Sequence, residues 1–245
     1  MSEVPATLPP SAEGSGPGLL ARFVGILTSP RETFAAVVAR PQWFGMAALV
    51  ILVTAAATGW FFSTEVGQTA WLDQIVEQTR KTGQEMPEAQ WATMQKMASY
   101  MGIIYAVSTI VIAPIMWLIV TGILFAVFNA ALGGTATFRQ LFAVFVHSTA
   151  ISVVQQLFVT PLNYVRETIS SATNLAVFLP MLDESSFLAK LLGTIDLFLI
   201  WWIVLLSIGL GVLFKRRTGP IATGLFIVYG VIAFIVAAFF GRGGA

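Results

Sequence analysis

The stretch MGIIYAVSTIVIAPIMWLIVTGILFAVFN, residues 101–129, carries no charged side chain from end to end. A helix needs about 20 apolar residues to cross roughly 30 Å of hydrocarbon, and this run exceeds that length. Four further apolar runs accompany it, at 43–62, 138–160, 191–214 and 221–240. A soluble domain cannot hide so many unbroken apolar segments. The chain is therefore predicted to be an all-α, polytopic membrane protein, a bundle of five transmembrane helices. Pro114 lies inside the longest run and predicts a kink there, with neighbours or water satisfying the freed carbonyl.

Composition points the same way. The chain has 245 residues, 57% of them hydrophobic and 10% charged, where soluble domains carry roughly 25% charged residues. Its mean hydropathy is +0.83. A net charge of +1 supplies no global field for nucleic acid, so no nucleic-acid partner is expected. One His and no Cys exclude disulfides, thiolate metal sites and cysteine nucleophiles. No cofactor or metal site is expected.

Working outward from the spans, residues 1–18 are rich in Pro, Ser, Gly and Ala, with no basic n-region. They read as a disordered tail rather than a signal peptide. Residues 19–41 read as two short amphipathic helices. The first sets Leu19, Leu20, Phe23, Ile26 and Leu27 beside Arg22. The second opens on Ser29-Pro30-Arg31-Glu32, a predicted capping box. In it Ser29 accepts from the N–H of Glu32, Glu32 reaches back to Ser29, and Pro30 fills the first helical position. Both helices suit the membrane interface, and equally suit packing on the cytosolic ends of the bundle.

The membrane domain proper is predicted over 42–245. Between its first two spans, 63–100 is polar and reads as a helical hairpin parted at Gly83. It is either a solvated connection or a binding element. Gly133-Gly134 marks a tight turn after the second span. The 161–190 connection contains an apolar run at 175–182 that is too short to span and is interrupted by Pro180, so it is predicted to be interfacial or re-entrant. Lys215-Arg216-Arg217 makes a short basic turn before the last span. Basic residues near span ends favour the cytosolic side, and their density at this turn places the N-terminus in the cytosol and the C-terminus outside.

Reaction chemistry is sparse. Asp196 is the acidic residue placed within a predicted span, and a carboxylate at that depth is costly unless paired, protonated or hydrated. Gln155 and Gln156 lie at similar depth on the antiparallel third span. Either an Asp196–Gln pair is structural, or Asp196 marks a proton-coupled or binding site. His147 lies near the middle of the third span, about 8 residues and roughly 12 Å from the depth of Asp196, so the two are not expected to touch. Protease, hydrolase and phosphate-loop signatures are missing from the sequence. Gly122 and the Ser207–Gly211 run read as small-residue surfaces for close helix packing.

Three segments together resemble a known family. They are SPRETFAAVVARPQWF at 29–44, GGTATFRQLFAV at 133–144 and LFLIWWIVLLSIGLGV ahead of the basic turn. The layout resembles the Yip (Ypt/Rab-interacting protein) family of five-span membrane proteins, in its prokaryotic branch. In eukaryotes the resemblance implies vesicle trafficking and contact with prenylated small GTPases. The acidic Asp-Leu-Tyr-Gly-Pro type motif of that branch is missing, and Ser29–Glu32 in its place is different chemistry, so a Rab-type partner is not carried over. For the prokaryotic branch the resemblance implies an integral membrane protein of undetermined biochemical role, and the expected location is the bacterial plasma (inner) membrane, as a multi-pass protein. The expected function is a non-enzymatic scaffold or interaction protein whose partners are the bilayer, other membrane proteins or further copies of itself. The alternative is a small transporter or channel subunit using Asp196 and His147.

Overall fold

The computed structural model describes residues 17–81, 83, 86–183 and 186–240. Except for Pro17 and Gly18, the predicted tail lies outside them. Among the described residues the chain is helical, with one isolated bridge between Asn174 and Asp196. Eleven α-helices follow in order, α1 (Leu19–Thr28), α2 (Pro30–Ala39), α3 (Phe44–Ser63), α4 (Glu65–Lys81), α5 (Glu88–Ala98) and α6 (Met101–Phe125) forming the first half. The second half holds α7 (Phe138–Ser148), α8 (Ile151–Val165), α9 (Phe187–Thr194), α10 (Leu197–Leu213) and α11 (Thr218–Ile235). Widened π turns extend α6 over Ala126–Ala131 and α11 over Val236–Phe240.

Among the described residues four helical stretches are long and apolar enough to cross a membrane: Phe44–Ser63, Met101–Ala131, Phe138–Val165 and Thr218–Phe239. The α7–α8 stretch is the hub, with 61% of its apolar window buried against 11% for α6. Residues 141–150 are buried without interruption. α6 and α11 instead turn Ile103, Val107, Ile110, Ile227 and Val231 outward, as the bilayer-facing walls of a bundle must. Helices α3 and α6 meet through small residues. A Cβ on Gly102 would stand 2.7 Å from the carbonyl oxygen of Gly59, so only glycine permits this approach. Gly209 does the same for Phe34 and Val144, whereas Gly122 faces open space and is not a packing surface. α6 runs through Pro114 as one helix.

Two of the predicted spans need correcting. The run at 191–214 is not one helix. Ile195 and Asp196 are extended, so α9 ends at Thr194 and α10 begins at Leu197, leaving a helix of 17 residues. The third span continues past 160, through Pro161 to Val165, and is interrupted at 149–150. There His147, Ser148 and Thr149 each turn a side chain back onto a carbonyl of their own helix, at Ala143, Phe145 and Val146. Such back-bonding competes with the backbone ladder and bends helices. The i→i−3 bonds of Ala150, Ser152 and Val153 complete a tightened turn.

We call the end carrying α1 and α2 proximal and the opposite end distal. α1 and α2 do not simply lie alongside the bundle. Ile26 and Phe34 are fully buried and Val37 nearly so, with α2 seated against α7 and α10. Arg22, read as the polar edge of α1, points inward and donates to the carbonyl of Gln42 at 2.8 Å, while Leu20 and Val24 face out. At the distal end, Gly83 has φ +65° and parts α4 from α5 as expected. The run at 175–182 forms one 3-10 turn, Leu175–Phe178.

Candidate functional site

Asp196 caps a helix. Its Oδ1 accepts from the backbone N–H of Phe198 at 2.8 Å and of Leu199 at 3.4 Å. Its Oδ2 accepts from the hydroxyls of Ser171 and Thr173, both at 2.6 Å. The backbone joins in, since Leu175 N–H donates to the carbonyl of Ile195 and Leu197 N–H to that of Thr173. Next to it, the Tyr229 hydroxyl of α11 donates to the Thr194 carbonyl at 2.7 Å. A carboxylate at a helix N-terminus meets orphan N–H groups and the positive end of the dipole. The predicted pairing with Gln155 or Gln156 does not form. Gln156 accepts from Thr160 on its own helix, at 3.0 Å, and Gln155 shares no hydrogen bond with Asp196. The reason is the break itself: Asp196 heads α10 and turns toward the 171–173 turn, whose hydroxyls it holds. Beside this node a cleft of about 550 Å³ opens between Arg166, Ser170, Ser171, Asn174 and Lys190.

His147 is fully buried on α7. Its Nδ1 lies 2.8 Å from the Ala143 carbonyl, so the N–H sits on Nδ1 and Nε2 of the neutral ring is left as an acceptor. Among the described residues nothing bonds Nε2. Thr121 Oγ1 on α6 and Trp202 Nε1 on α10 are likewise buried without a partner. The expected interhelical bond of His147 is replaced by one to its own helix, and His147 and Asp196 belong to different nodes. Among the described residues no group of three or more His, Asp and Glu gathers as a metal would need.

The capping box exists, but not at Ser29. Pro30 does fill the first position of α2, yet the Ser29 hydroxyl makes no cap bond and Glu32 is exposed. The physical reason lies one residue upstream. Ser29 also closes α1, donating its N–H to Gly25, and this holds its backbone at φ −141°, ψ 65°. A capping residue needs an extended backbone to aim its oxygen at the helix. Thr137 has that conformation, with φ −78°, ψ 152°. Its Oγ1 accepts from Gln140 N–H at 3.2 Å, and Gln140 Oε1 accepts from Thr137 N–H at 3.0 Å. The Gln140 amide then uses its remaining face, donating Nε2–H to the carbonyl of Val38 at the end of α2. Arg139 Nε donates to Pro41 nearby. One glutamine thus starts α7 and ties it to α2. The pattern Thr-x-x-Gln was readable in the sequence, whereas Ser171 and Thr173 carried no local sign of their role.

The same end is closed by a second clasp. Arg216 donates Nη2–H to the Leu132 carbonyl at 2.7 Å, and Asn129 Nδ2–H to Ala136 at 2.7 Å. Phe128 and Phe214 stack with ring centroids 4.9 Å apart. Gly134 fits beneath them; a Cβ there would stand 2.6 Å from the Phe214 ring and 2.7 Å from the Phe128 carbonyl oxygen. Between the turns lies a cleft of about 330 Å³.

This geometry is that of a tied helical bundle with structural polar nodes. The model of the Yip1 domain matches residues 24–240 of the chain. Nothing among the curated proteins or the solved structures matches. The match begins inside α1 and ends with the π turn after α11, so it takes in the α2 wedge, both proximal turns and the Asp196 node, and on it the chain belongs to the Yip1 domain family of membrane proteins.

Proposed function

We propose that the chain is a non-enzymatic scaffold or interaction protein of the family's prokaryotic branch. It crosses the bacterial inner membrane five times, with its N-terminus in the cytosol and its C-terminus outside. The observation that carries the scaffold reading is the Asp196 node. The one acidic group expected to serve transport has both carboxylate oxygens occupied by the chain's own donors. A carboxylate so engaged fixes a loop and leaves neither oxygen open to a ligand.

For the crossings, α10 is roughly 25 Å long at 1.5 Å per residue. Its first turn is tied to 171–173 at the distal end and the turn beyond it to Leu132 at the proximal end. It therefore runs the same course as its neighbours, and α9 makes up the missing length. For the orientation, Arg80, Lys81, Lys96, Arg166 and Lys190 lie in the distal connections among Glu65, Asp73, Glu77, Glu88, Glu167 and Asp183, whereas Arg22, Arg31, Arg40 and Arg139 lie at the proximal end with Lys215-Arg216-Arg217 crowded into one short turn. Basic residues near span ends mark the cytosolic side.

Transport stays as a second reading because Thr121, His147 and Trp202 place unpartnered polar atoms inside the bundle on three different helices. Proteoliposomes separate the two. The scaffold reading expects no pH-driven flux and no difference between the wild type and Asp196→Asn. Flux that disappears in Asp196→Asn or His147→Gln transfers the assignment to transport. Reporter fusions after Gly219 and at the C-terminus test the topology; a cytosolic C-terminal reporter ends the five-span arrangement.

A further inference from the structure

The cleft at the proximal end has a chemistry that holding the bundle together does not require. It lies between the 133–136 turn and the 214–216 turn, with Val38 and Gln140 at its back. Lys215 and Arg216 line it and no acidic residue does. Arg216 is fixed to the wall by its bond to Leu132, and the Lys215 ammonium makes no ion pair among the described residues. The backbone N–H groups of Thr135 and Ala136 and the Thr135 hydroxyl enter none of the hydrogen bonds of the described residues. The carbonyls of Val38 and Leu132, by contrast, are already taken by Gln140 and Arg216. The cleft thus offers fixed positive charge and open donors, which together suit a phosphate anion.

Its position says how that phosphate is presented. Leu132 and Phe138 stand at the two ends of the glycine turn and are 45% and 38% exposed. They continue the outward apolar wall of α6, where Ile123 and Val127 also face out. The cleft therefore opens where hydrocarbon gives way to headgroups. A phosphate free in water gains nothing from that apolar rim, whereas a phosphate carried on acyl chains does. We infer that this cleft binds the phosphate of an anionic phospholipid headgroup, with Lys215 and Arg216 as its cations and the 133–136 turn supplying donors. A headgroup seated there bridges the α6–α7 turn and the α10–α11 turn. The site depends on the chain being in a bilayer and holds for either orientation.

The test uses the full chain in nanodiscs of phosphatidylglycerol or phosphatidylcholine, with bound lipid counted by native mass spectrometry after transfer to detergent. The wild type should retain phosphatidylglycerol in preference. Lys215→Gln should weaken that retention about fivefold, the effect of one basic residue near an anionic surface, while Lys96→Gln on α5 should not. Equal retention in Lys215→Gln, or an equal loss in Lys96→Gln, overturns the site. Amine labelling of the wild type gives a readout that no variant's folding can spoil. Lys215 should be slowed relative to Lys96 in phosphatidylglycerol discs and not in phosphatidylcholine discs; equal rates in both overturn the proposal. If inorganic phosphate added to phosphatidylcholine discs protects Lys215 as well as phosphatidylglycerol does, the ligand is a soluble anion and the lipid assignment fails.

Discussion

The two ends of the bundle solve the same problem with opposite means. At the proximal end the connections are short, and few residues each make several bonds. Gln140 serves Thr137 and Val38 at once, and Arg216 closes the last turn onto Leu132. The wedge of α1 and α2 is buried among α7 and α10. At the distal end the connections are long. They hold α4, α5 and α9 and leave Val177, Phe178 and Met181 exposed. One carboxylate gathers four donors there. The proximal end thus fixes how the helices meet, whereas at the distal end one node ties the 171–175 segment to the head of α10 and α4 leans separately on α3. If that contrast is right, substitutions at the proximal end should disturb the whole bundle, and those at the distal node should loosen only what it holds.

The strongest way to break the contrast is to empty the wedge. Phe34→Ala removes a fully buried ring that contacts the Gly209 and Val144 region. It should cost about 3–5 kcal/mol, the usual range for a buried Phe. Reversible unfolding in mixed micelles should show the loss as one cooperative transition shifted to lower denaturant. A shift below about 1 kcal/mol would mean that α2 rests on the surface, as an interfacial helix would.

Asp196→Ala comes next. It strips the cap from α10, worth about 1–2 kcal/mol. It also strands the Ser171 and Thr173 hydroxyls, whose bonds to a charged group count for more than neutral ones. A total of about 2–4 kcal/mol is expected. Asp196→Asn keeps an N-cap acceptor, and its amide can donate to the same hydroxyls, so it should cost about 1 kcal/mol or less. Hydrogen exchange should speed up at Leu175 and Leu197 while the protection of α7 stays unchanged. Loss of α7 protection would make this node as global as the proximal clasp.

Gly134→Ala probes the proximal turn directly. The added Cβ meets a backbone oxygen that has no rotamer to escape through, so about 1–3 kcal/mol of overpacking cost is expected. The stacked pair Phe128–Phe214 must separate to admit it. Near-ultraviolet circular dichroism reports that separation; an unchanged spectrum with unchanged stability would show that the turn gives way elsewhere.

How far these features could be read from the sequence depended on whether they were local. Apolar length gave the helical membrane class, because hydrocarbon thickness alone sets it. Gly83 gave the hairpin break, since a residue at φ +65° favours glycine. The Asp196 node is hidden because the apolar run at 191–214 reads as continuous. Yet an Asp directly ahead of LFLIWWIV has the form of an N-cap signal. Its partners Ser171 and Thr173 stand more than 20 residues away, and no local pattern points to them. The inward turn of Arg22 was hidden for the same reason, as its acceptor is a carbonyl contributed by the α2–α3 connection.

The finest contrast lies between two four-residue patterns of the same form. Ser29-Pro30-Arg31-Glu32 and Thr137-Phe138-Arg139-Gln140 both spell a capping box, and one of them forms. What separates them is the residue's other duty. Ser29 is the single residue between two helices, and its N–H and ψ of 65° are committed to ending α1. Thr137 follows a glycine turn and is free to extend. Thr137→Ala should therefore cost about 1 kcal/mol, the typical worth of a threonine cap, with faster exchange at Gln140 and Leu141. Ser29→Ala should cost no more than a few tenths of that, since Thr33 already bonds the Ser29 carbonyl through its own hydroxyl and that bond survives the change. Exchange at residues 32–35 is the readout. Faster exchange there in Ser29→Ala, by as much as Thr137→Ala shows in α7, would mean that the serine hydroxyl does cap α2 and that the backbone angle does not decide which box closes.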